Sequence, residues 1–146
     1  MAMITNSQEE AIEAGEKLGH LLKKGMTVLL EGELAAGKTT FTKGIGKALH
    51  IHSVINSPTF TILKIYEGDL TLYHIDAYRL ENNDYDLGFE EYADEGITVI
   101  EWPQYYAHLP EEYLSIHFRY IDENQREITF SGKGEQYEEI VKEILC

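Results

Sequence analysis

The fold of this chain is decided by the stretch Val28-Leu29-Leu30-Glu31-Gly32-Glu33-Leu34-Ala35-Ala36-Gly37-Lys38-Thr39-Thr40. The apolar run at the start of this stretch is typical of a buried parallel strand. From its last residue onward, residues 40–49 carry apolar side chains at helical spacing. The segment between them fits the pattern G-x-x-x-x-G-K-[ST], in which backbone N–H groups converge on phosphate oxygens at the start of a helix. The stretch therefore predicts a strand, a phosphate-binding loop and a helix.

The fixed positions of this pattern are Gly32, Gly37, Lys38 and Thr39. The lysine would reach the β- and γ-phosphates of a nucleotide as a point charge, and the threonine hydroxyl would ligate Mg²⁺. The alternative is a glycine-containing turn whose lysine is merely solvated. We favour a nucleotide site, because the strand before the loop and the helix after it supply the context that the pattern requires.

The length and composition predict one globular domain that spans residues 1–146 and has an adequate core. Apolar residues make up 43% of the chain, which argues against disorder. No apolar run approaches the ~20 residues of a membrane span, and the first residues lack the basic and apolar regions of a signal peptide. The single cysteine, Cys146, excludes an internal disulfide. We therefore expect a cytoplasmic protein without a membrane partner.

The formal net charge of −14 is concentrated in the second half of the chain. Residues 1–66 carry a charge of +1 and residues 67–146 carry −15. A surface this acidic repels phosphate backbones, which argues against autonomous nucleic-acid binding. Two roles for the acidic half stay open: a solvated face that aids solubility, which is the commoner case, or a docking face for a basic partner.

The remaining pattern predicts an α/β fold whose sheet contains two antiparallel hairpins. A capping box, with Ser7 as the cap and Glu10 reaching back to it, starts a helix that runs to about Leu22. Strands are expected at residues 60–66, 70–75, 97–100, 113–121 and 126–131. The first two and the last two form hairpins, and further helices are expected at residues 84–92 and 134–146.

Two carboxylates directly follow apolar strands. Asp76 follows residues 70–75, and Glu101 follows residues 97–100. In α/β sheets, the ligands of a nucleotide-bound metal lie at the carboxyl ends of strands beside the phosphate loop. Either carboxylate could ligate Mg²⁺ while the other orients the attacking water. The alternative is that each merely ends a strand in solvent.

Four other side chains near these positions keep two interpretations each. His74 is interpreted as a neutral, hydrogen-bonded structural residue rather than a catalytic one. Trp102 could stack on a base or mark the rim of the site, or it could be a packing residue. Arg79 and Arg126 could contact phosphates, or each could form an ordinary ion pair.

The chain resembles the TsaE (YjeE) family of small bacterial P-loop ATPases over nearly its full length. The resemblance rests on four motifs in the same order: residues 32–41, Ser57-Pro58-Thr59-Phe60-Thr61, Tyr73-His74-Ile75-Asp76-Ala77-Tyr78-Arg79-Leu80 and Ile100-Glu101-Trp102-Pro103. It implies a P-loop NTPase-like three-layer α/β domain with a mixed sheet, which agrees with the two hairpins. It also implies Mg²⁺-dependent ATP hydrolysis, which is weak in the isolated protein.

The resemblance further implies a place in tRNA modification. Proteins of this family engage the TsaB–TsaD pair during formation of N6-threonylcarbamoyladenosine at position 37 of tRNAs that read codons beginning with A. TsaD performs the transfer, and the ATPase is thought to reset the complex between turnovers. The chain would therefore meet tRNA only indirectly, through the complex.

The positions of the motifs imply roles for individual residues. Asp76 and Lys38 are expected to be catalytic, Thr39 and Glu101 to hold Mg²⁺, and residues 57–61 to form a mobile segment near the γ-phosphate. The resemblance implies ATP binding by Gln8, Glu33, Leu34, Ala35, Ala36, Gly37, Lys38, Thr39, Thr40 and Arg126. Ala35 stands where the family usually has glycine, so we expect altered affinity rather than lost binding.

Two other functions stay open. The first is a free-standing P-loop kinase for a small molecule, although such kinases usually clamp the transferred phosphoryl group with lid arginines. This chain has only three arginines, and they are scattered. The second is a nucleotide-gated adaptor without useful turnover, against which the presence of both Asp76 and Glu101 argues.

Overall fold

The computed structural model describes residues 2–33, 36–56, 62–80 and 88–145. Its seven strands are β1 (Ala2–Thr5), β2 (Thr27–Gly32), β3 (Leu63–Tyr66), β4 (Thr71–Asp76), β5 (Gly96–Glu101), β6 (Tyr113–Tyr120) and β7 (Arg126–Lys133). The four α-helices of the described residues are α1 (Gln8–Leu21), α2 (Lys38–Ala48), α3 (Phe89–Tyr92) and α4 (Glu135–Ile144). The predicted segment at residues 57–61, and the part of the predicted helix at residues 84–87, lie outside the described residues.

All seven strands form one mixed sheet in the order β1-β7-β6-β2-β5-β4-β3. The centre is parallel, since β2 pairs with β5 and β6, and β4 pairs with β5. The antiparallel pairs β3–β4 and β6–β7 are the two predicted hairpins. The predicted α/β fold with a mixed sheet is therefore confirmed. The carboxyl ends of β2, β4 and β5 meet at one edge of the sheet, where a ligand site is expected.

The two faces of the sheet bury different sets of side chains, because successive residues of a strand point to opposite faces. Val28 and Leu30 of β2 belong to a large core with residues of α1, α2 and α4, including Leu18, Phe41 and Ile140. Leu29, between them, belongs to a smaller core on the other face. That face is covered by short helical turns and loops, whose buried members include Ala77, Leu80, Ala93 and Tyr106.

The start of α1 differs from the predicted capping box in one bond. The Ser7 hydroxyl accepts from the Glu10 backbone N–H at 3.1 Å, as predicted. The Glu10 carboxylate, however, accepts from the backbone N–H of Asn6 at 3.0 Å rather than from that of Ser7. The Asn6 side-chain amide donates to the same oxygen at 3.3 Å, so this residue offers two donors to one carboxylate.

Strand β1 was not predicted from the sequence. It pairs antiparallel with β7, with Ala2 opposite Thr129 and Thr5 opposite Arg126. The side chains alternate in burial, but the polar Thr5 is buried while the apolar Ile4 is 47% exposed, so the sequence shows no matching alternation of apolar and polar residues. Within the part of the chain that the structure describes, no helix has the length and apolar character needed to cross a membrane.

Candidate functional site

The loop between β2 and α2 depends on two glycines for different reasons. Gly32 has φ +148°, and a Cβ there would lie 2.7 Å from the carbonyl oxygen of Phe118 on β6. Gly37 has φ +98°, in the left-handed region, and ends the loop as the N-cap of α2. A side chain would clash at the first position and strain the backbone at the second. The loop and the first turn of α2 therefore keep their shape only with glycine at both positions.

A cavity of about 640 Å³ lies in front of this loop. That volume is within the ~300–1,000 Å³ usual for small-ligand sites. The start of α1, the first turn of α2, the ends of β4 and β5, and the turn between β6 and β7 all contribute to the wall. The predicted site residues that line it are Gln8, Ala36, Gly37, Lys38, Thr39, Thr40, Asp76, Glu101 and Arg126.

Lys38, the first residue of α2, is 5% exposed. Its Nζ donates to the carbonyl oxygen of Gly32 at 2.9 Å and lies 3.7 Å from the centre of the Trp102 ring. Burial lowers the pKa of the ammonium group, whereas the carboxylates of Glu101 and Asp76 raise it. The ammonium group therefore sits between a backbone carbonyl, an aromatic ring and two negative charges, at the edge of the cavity.

Trp102 lines the same cavity, immediately after β5. Its backbone is left-handed, with φ 58° and ψ 50°, which is uncommon for a residue with a side chain. The ring centre lies 5.2 Å from that of Tyr78 and 6.2 Å from that of Tyr105. Trp102 is thus at the rim of the cavity and in an aromatic cluster at once, so both of its sequence-based interpretations describe part of its surroundings.

Asp76 and Glu101 are the last residues of the neighbouring parallel strands β4 and β5, and they face each other in register. The two carboxylates therefore project to the same face of the sheet, beside Lys38. The backbone N–H of Tyr78 donates to Asp76 Oδ1 at 3.0 Å. Burial raises the pKa of Asp76 above its usual value, the Tyr78 hydrogen bond lowers it, and the nearby Glu101 raises it again.

Glu101 is 3% exposed and contacts His74, which is fully buried on β4. The distance between His74 Nε2 and Glu101 Oε2 is 2.5 Å. This contact gives His74 the hydrogen-bonded structural environment that the sequence favoured. The partner could not be named from the sequence, because it depends on the pairing of β4 with β5.

The donor set suits a magnesium ion that arrives with a nucleotide. Among the described residues there is no group of three or more His, Cys, Asp or Glu side chains that could hold a metal by itself. Mg²⁺ bound through one hydroxyl and one or two carboxylates completes its coordination with water and phosphate oxygens. Thr39 and Glu101 line the same cavity and offer one hydroxyl and one carboxylate for this purpose, and Asp76 faces Glu101 on the neighbouring strand.

Arg126 begins β7 and lines the same cavity. Its Nη1 donates to the backbone carbonyls of Asp122 and Gln125. Its Cζ lies 4.5 Å from the centre of the Tyr120 ring. These contacts fix a guanidinium group at the cavity wall. The side chain of Arg79 lies outside the described part of the structure.

The structure separates one predicted residue from the others. Glu33 lines a second cavity, of about 330 Å³, with Gln104, His117 and Arg119. Leu34 and Ala35 lie outside the described residues. Sequence reasoning missed four residues of the main cavity wall, for which no local motif gave a signal: Thr5, Ala11, Glu123 and Asn124.

Comparisons with known proteins point in one direction. The family model described as "Threonylcarbamoyl adenosine biosynthesis protein TsaE" matches residues 5–128. A protein of Bacillus subtilis named "tRNA threonylcarbamoyladenosine biosynthesis protein TsaE" is 42% identical, over 96% of this chain and 90% of that protein. A protein of the same name from Treponema pallidum is 43% identical, over 88% of this chain and 98% of that protein.

A solved structure has the same fold. The crystal structure of Bacillus subtilis YdiB superimposes with a TM-score of 0.83 and 35% sequence identity. The match covers 99% of this chain and 93% of that one. The likeness therefore extends over the whole sheet and its helices.

Proposed function

The chain belongs to the TsaE family, and we propose that it binds and hydrolyses Mg-ATP in support of a TsaB–TsaD complex during formation of N6-threonylcarbamoyladenosine at position 37 of tRNAs that read codons beginning with A. The family membership supports the place in threonylcarbamoyladenosine biosynthesis. The nucleotide chemistry is supported by the geometry of the cavity.

The observation that carries the proposal is the meeting of one buried cation and two carboxylates at the N-terminus of α2. Lys38, Asp76 and Glu101 come from three separate elements and line one cavity of nucleotide size together with Thr39. A helix N-terminus that follows a glycine-dependent loop favours phosphate oxygens, because its free N–H groups and its dipole attract negative charge. The carboxylates beside it would repel an anion unless a cation came with it, which favours a metal-bound nucleotide.

Each side chain has a separate task in this proposal. The ammonium group of Lys38 exchanges the Gly32 carbonyl for phosphate oxygens when ATP binds. Thr39 and Glu101 would hold Mg²⁺, which neutralises charge on the phosphates. Asp76 orients the attacking water and accepts its proton, and the raised pKa makes this carboxylate a better base. Arg126 and Gln8 border the part of the cavity that is left for the nucleoside.

The test is one assay of ADP formation, measured with and without TsaB and TsaD and scored alongside tRNA modification. We expect slow hydrolysis by the isolated protein and strong stimulation by the pair. Lys38→Ala is the loss-of-binding variant in the same assay. It should weaken ATP binding by roughly 100-fold, since it removes hydrogen bonds from a charged donor to several phosphate oxygens, and it should fail to support modification.

Three results would contradict the proposal. ADP formation that depends on a small-molecule acceptor and ignores the pair would indicate a kinase. ATP binding without turnover in either condition would indicate an adaptor. Unchanged ATP affinity of Lys38→Ala in calorimetry would remove the loop from the binding site.

A further inference from the structure

The buried contact between His74 and Glu101 has no function in the proposal above. His74 is fully buried, and it shares its face of the sheet with Leu72, two residues earlier on β4. Val99 on β5 is its register partner and belongs to the same apolar core. A polar ring in such surroundings is costly unless it is hydrogen-bonded. Its contact with Glu101 Oε2 at 2.5 Å is therefore the feature to explain.

The surroundings of the imidazole select one tautomer. Nδ1 of His74 is buried and has no hydrogen-bond partner among the residues that the structure describes. A buried N–H without an acceptor is more costly than a bare ring nitrogen, which carries no proton to satisfy. The proton therefore belongs on Nε2, which donates it to the carboxylate of Glu101. The side chain of His74 thus acts as a hydrogen-bond donor to one defined oxygen.

This bond fixes the orientation of the Glu101 carboxylate. Oε2 is committed to the ring, and the ring is held by the packed face of the sheet. Glu101 lines the cavity, so Oε1, the oxygen that the ring does not hold, is the one left for a ligand there. In metal sites, hydrogen bonds behind a ligand orient it and tune its affinity, and their loss commonly changes metal affinity 10–100-fold.

We propose that His74 is a positioning residue for Mg²⁺: it holds Glu101 Oε2 so that Oε1 is presented to the ion of Mg-ATP. This inference rests on the proposed function, because it gives Glu101 the role of a metal ligand. It adds a residue that touches neither nucleotide nor metal. It also predicts that a substitution of this residue changes the Mg²⁺ concentration that ATP binding requires.

The competing explanation is that the pair only stabilises the fold. The two explanations can be distinguished by replacing His74 with side chains that differ in whether they place a hydrogen-bond donor near the position of Nε2. Gln places an amide donor near the position of Nε2, whereas Phe fills the space of the ring without a donor, and Asn carries an amide that is too short to reach Glu101. A purely structural role would rank these variants by their stability, while a positioning role ranks them by the donor at the Nε2 position.

The experiment is a calorimetric titration of ATP into the protein at a series of Mg²⁺ concentrations, with a parallel series in EDTA. We expect His74→Phe to need about 10–100-fold more Mg²⁺ for half of the metal-dependent gain in ATP affinity. ATP affinity in EDTA should stay at the wild-type value. His74→Gln should restore the Mg²⁺ requirement to near the wild-type value. If His74→Phe does not fold, His74→Asn takes its place with the same expectation.

Val99→Ala is the matched control, since this side chain is equally buried and lies opposite His74. It is apolar and therefore donates no hydrogen bond to Glu101. It should lower the free energy of unfolding without changing the Mg²⁺ requirement. Equal Mg²⁺ requirements in the wild type, His74→Phe and His74→Gln would overturn the proposal, as would a shift in Val99→Ala as large as that in His74→Phe. A wild-type protein whose ATP binding ignores Mg²⁺ would instead contradict the proposed function itself.

Discussion

The ends of β4 and β5 are neighbours in one sheet, and each carries a carboxylate in the same register, yet the two carboxylates have different surroundings. Asp76 is partly exposed and accepts a hydrogen bond from the backbone N–H of Tyr78. Glu101 is buried and is held by a side chain, the ring of His74. One strand end therefore has a carboxylate that is open to solvent, and the other has a buried carboxylate that is held by a neighbouring side chain.

The different surroundings of these two carboxylates suit them to different tasks in one site. A metal ligand benefits from a fixed orientation, because the ion requires a narrow coordination geometry. A group that orients water and takes its proton must reach the solvent side of the cavity and have a pKa suited to accepting a proton. The surroundings of Glu101 suit the first task, and those of Asp76 suit the second.

The largest effect should come from Asp76→Asn, which keeps an acceptor for the Tyr78 N–H but removes the base. We expect the rate of ATP hydrolysis with TsaB–TsaD to fall by about 10²–10⁴-fold, the usual contribution of a general base. ATP affinity should be nearly unchanged. The two quantities are measured by single-turnover ADP formation and by calorimetry. Hydrolysis at the parental rate would contradict a catalytic role for this carboxylate. It would also contradict the assignment of different tasks to Asp76 and Glu101.

A smaller effect concerns pH and the stability of the ligand-free protein. The pKa of Asp76 is raised above its usual 3.8, so the folded state binds more protons than the unfolded state between that value and the raised one. The contribution of Asp76 to the free energy of unfolding of the wild type should therefore fall as the pH rises through this window. Asp76→Asn lacks this loss, so it should gain stability relative to the wild type as the pH rises, and the gain should level off above the window.

Denaturant unfolding of both proteins from pH 4 upward measures this difference. A difference that stays constant with pH, or one that shrinks as the pH rises, would mean that burial does not disfavour the charged form of Asp76. In that case Asp76 would lack the raised pKa that suits it to accept a proton from water.

Much of this architecture could be predicted because its signals are local. The alternation of residues 113–121, the turn after it and the strand that follows gave the β6–β7 hairpin, and the apolar run before Glu101 gave β5. The loop glycines were predicted because Gly32 and Gly37 belong to a short motif. Asp76 and Glu101 were singled out because carboxylates at strand ends beside such a loop have a known chemical use.

The rest depends on partners that are remote in sequence. Strand β1 has four residues, and its pairing with β7 joins residues more than a hundred positions apart, so nothing local distinguishes it. The contact of His74 with Glu101 needs the parallel register of β4 and β5. Glu123 and Asn124 reach the cavity wall only because the β6–β7 turn lies beside the start of α1. Glu33 shows the converse, since a residue inside the motif lines a different cavity.

The division of work between the two strand ends is tested most directly by the Mg²⁺ dependence of ATP binding in Asp76→Asn and Glu101→Gln, measured by calorimetry beside the wild type. We expect that Glu101→Gln needs at least about tenfold more Mg²⁺, and that Asp76→Asn stays within about threefold of the wild type. Equal shifts in both variants, or a shift in Asp76→Asn alone, would contradict it.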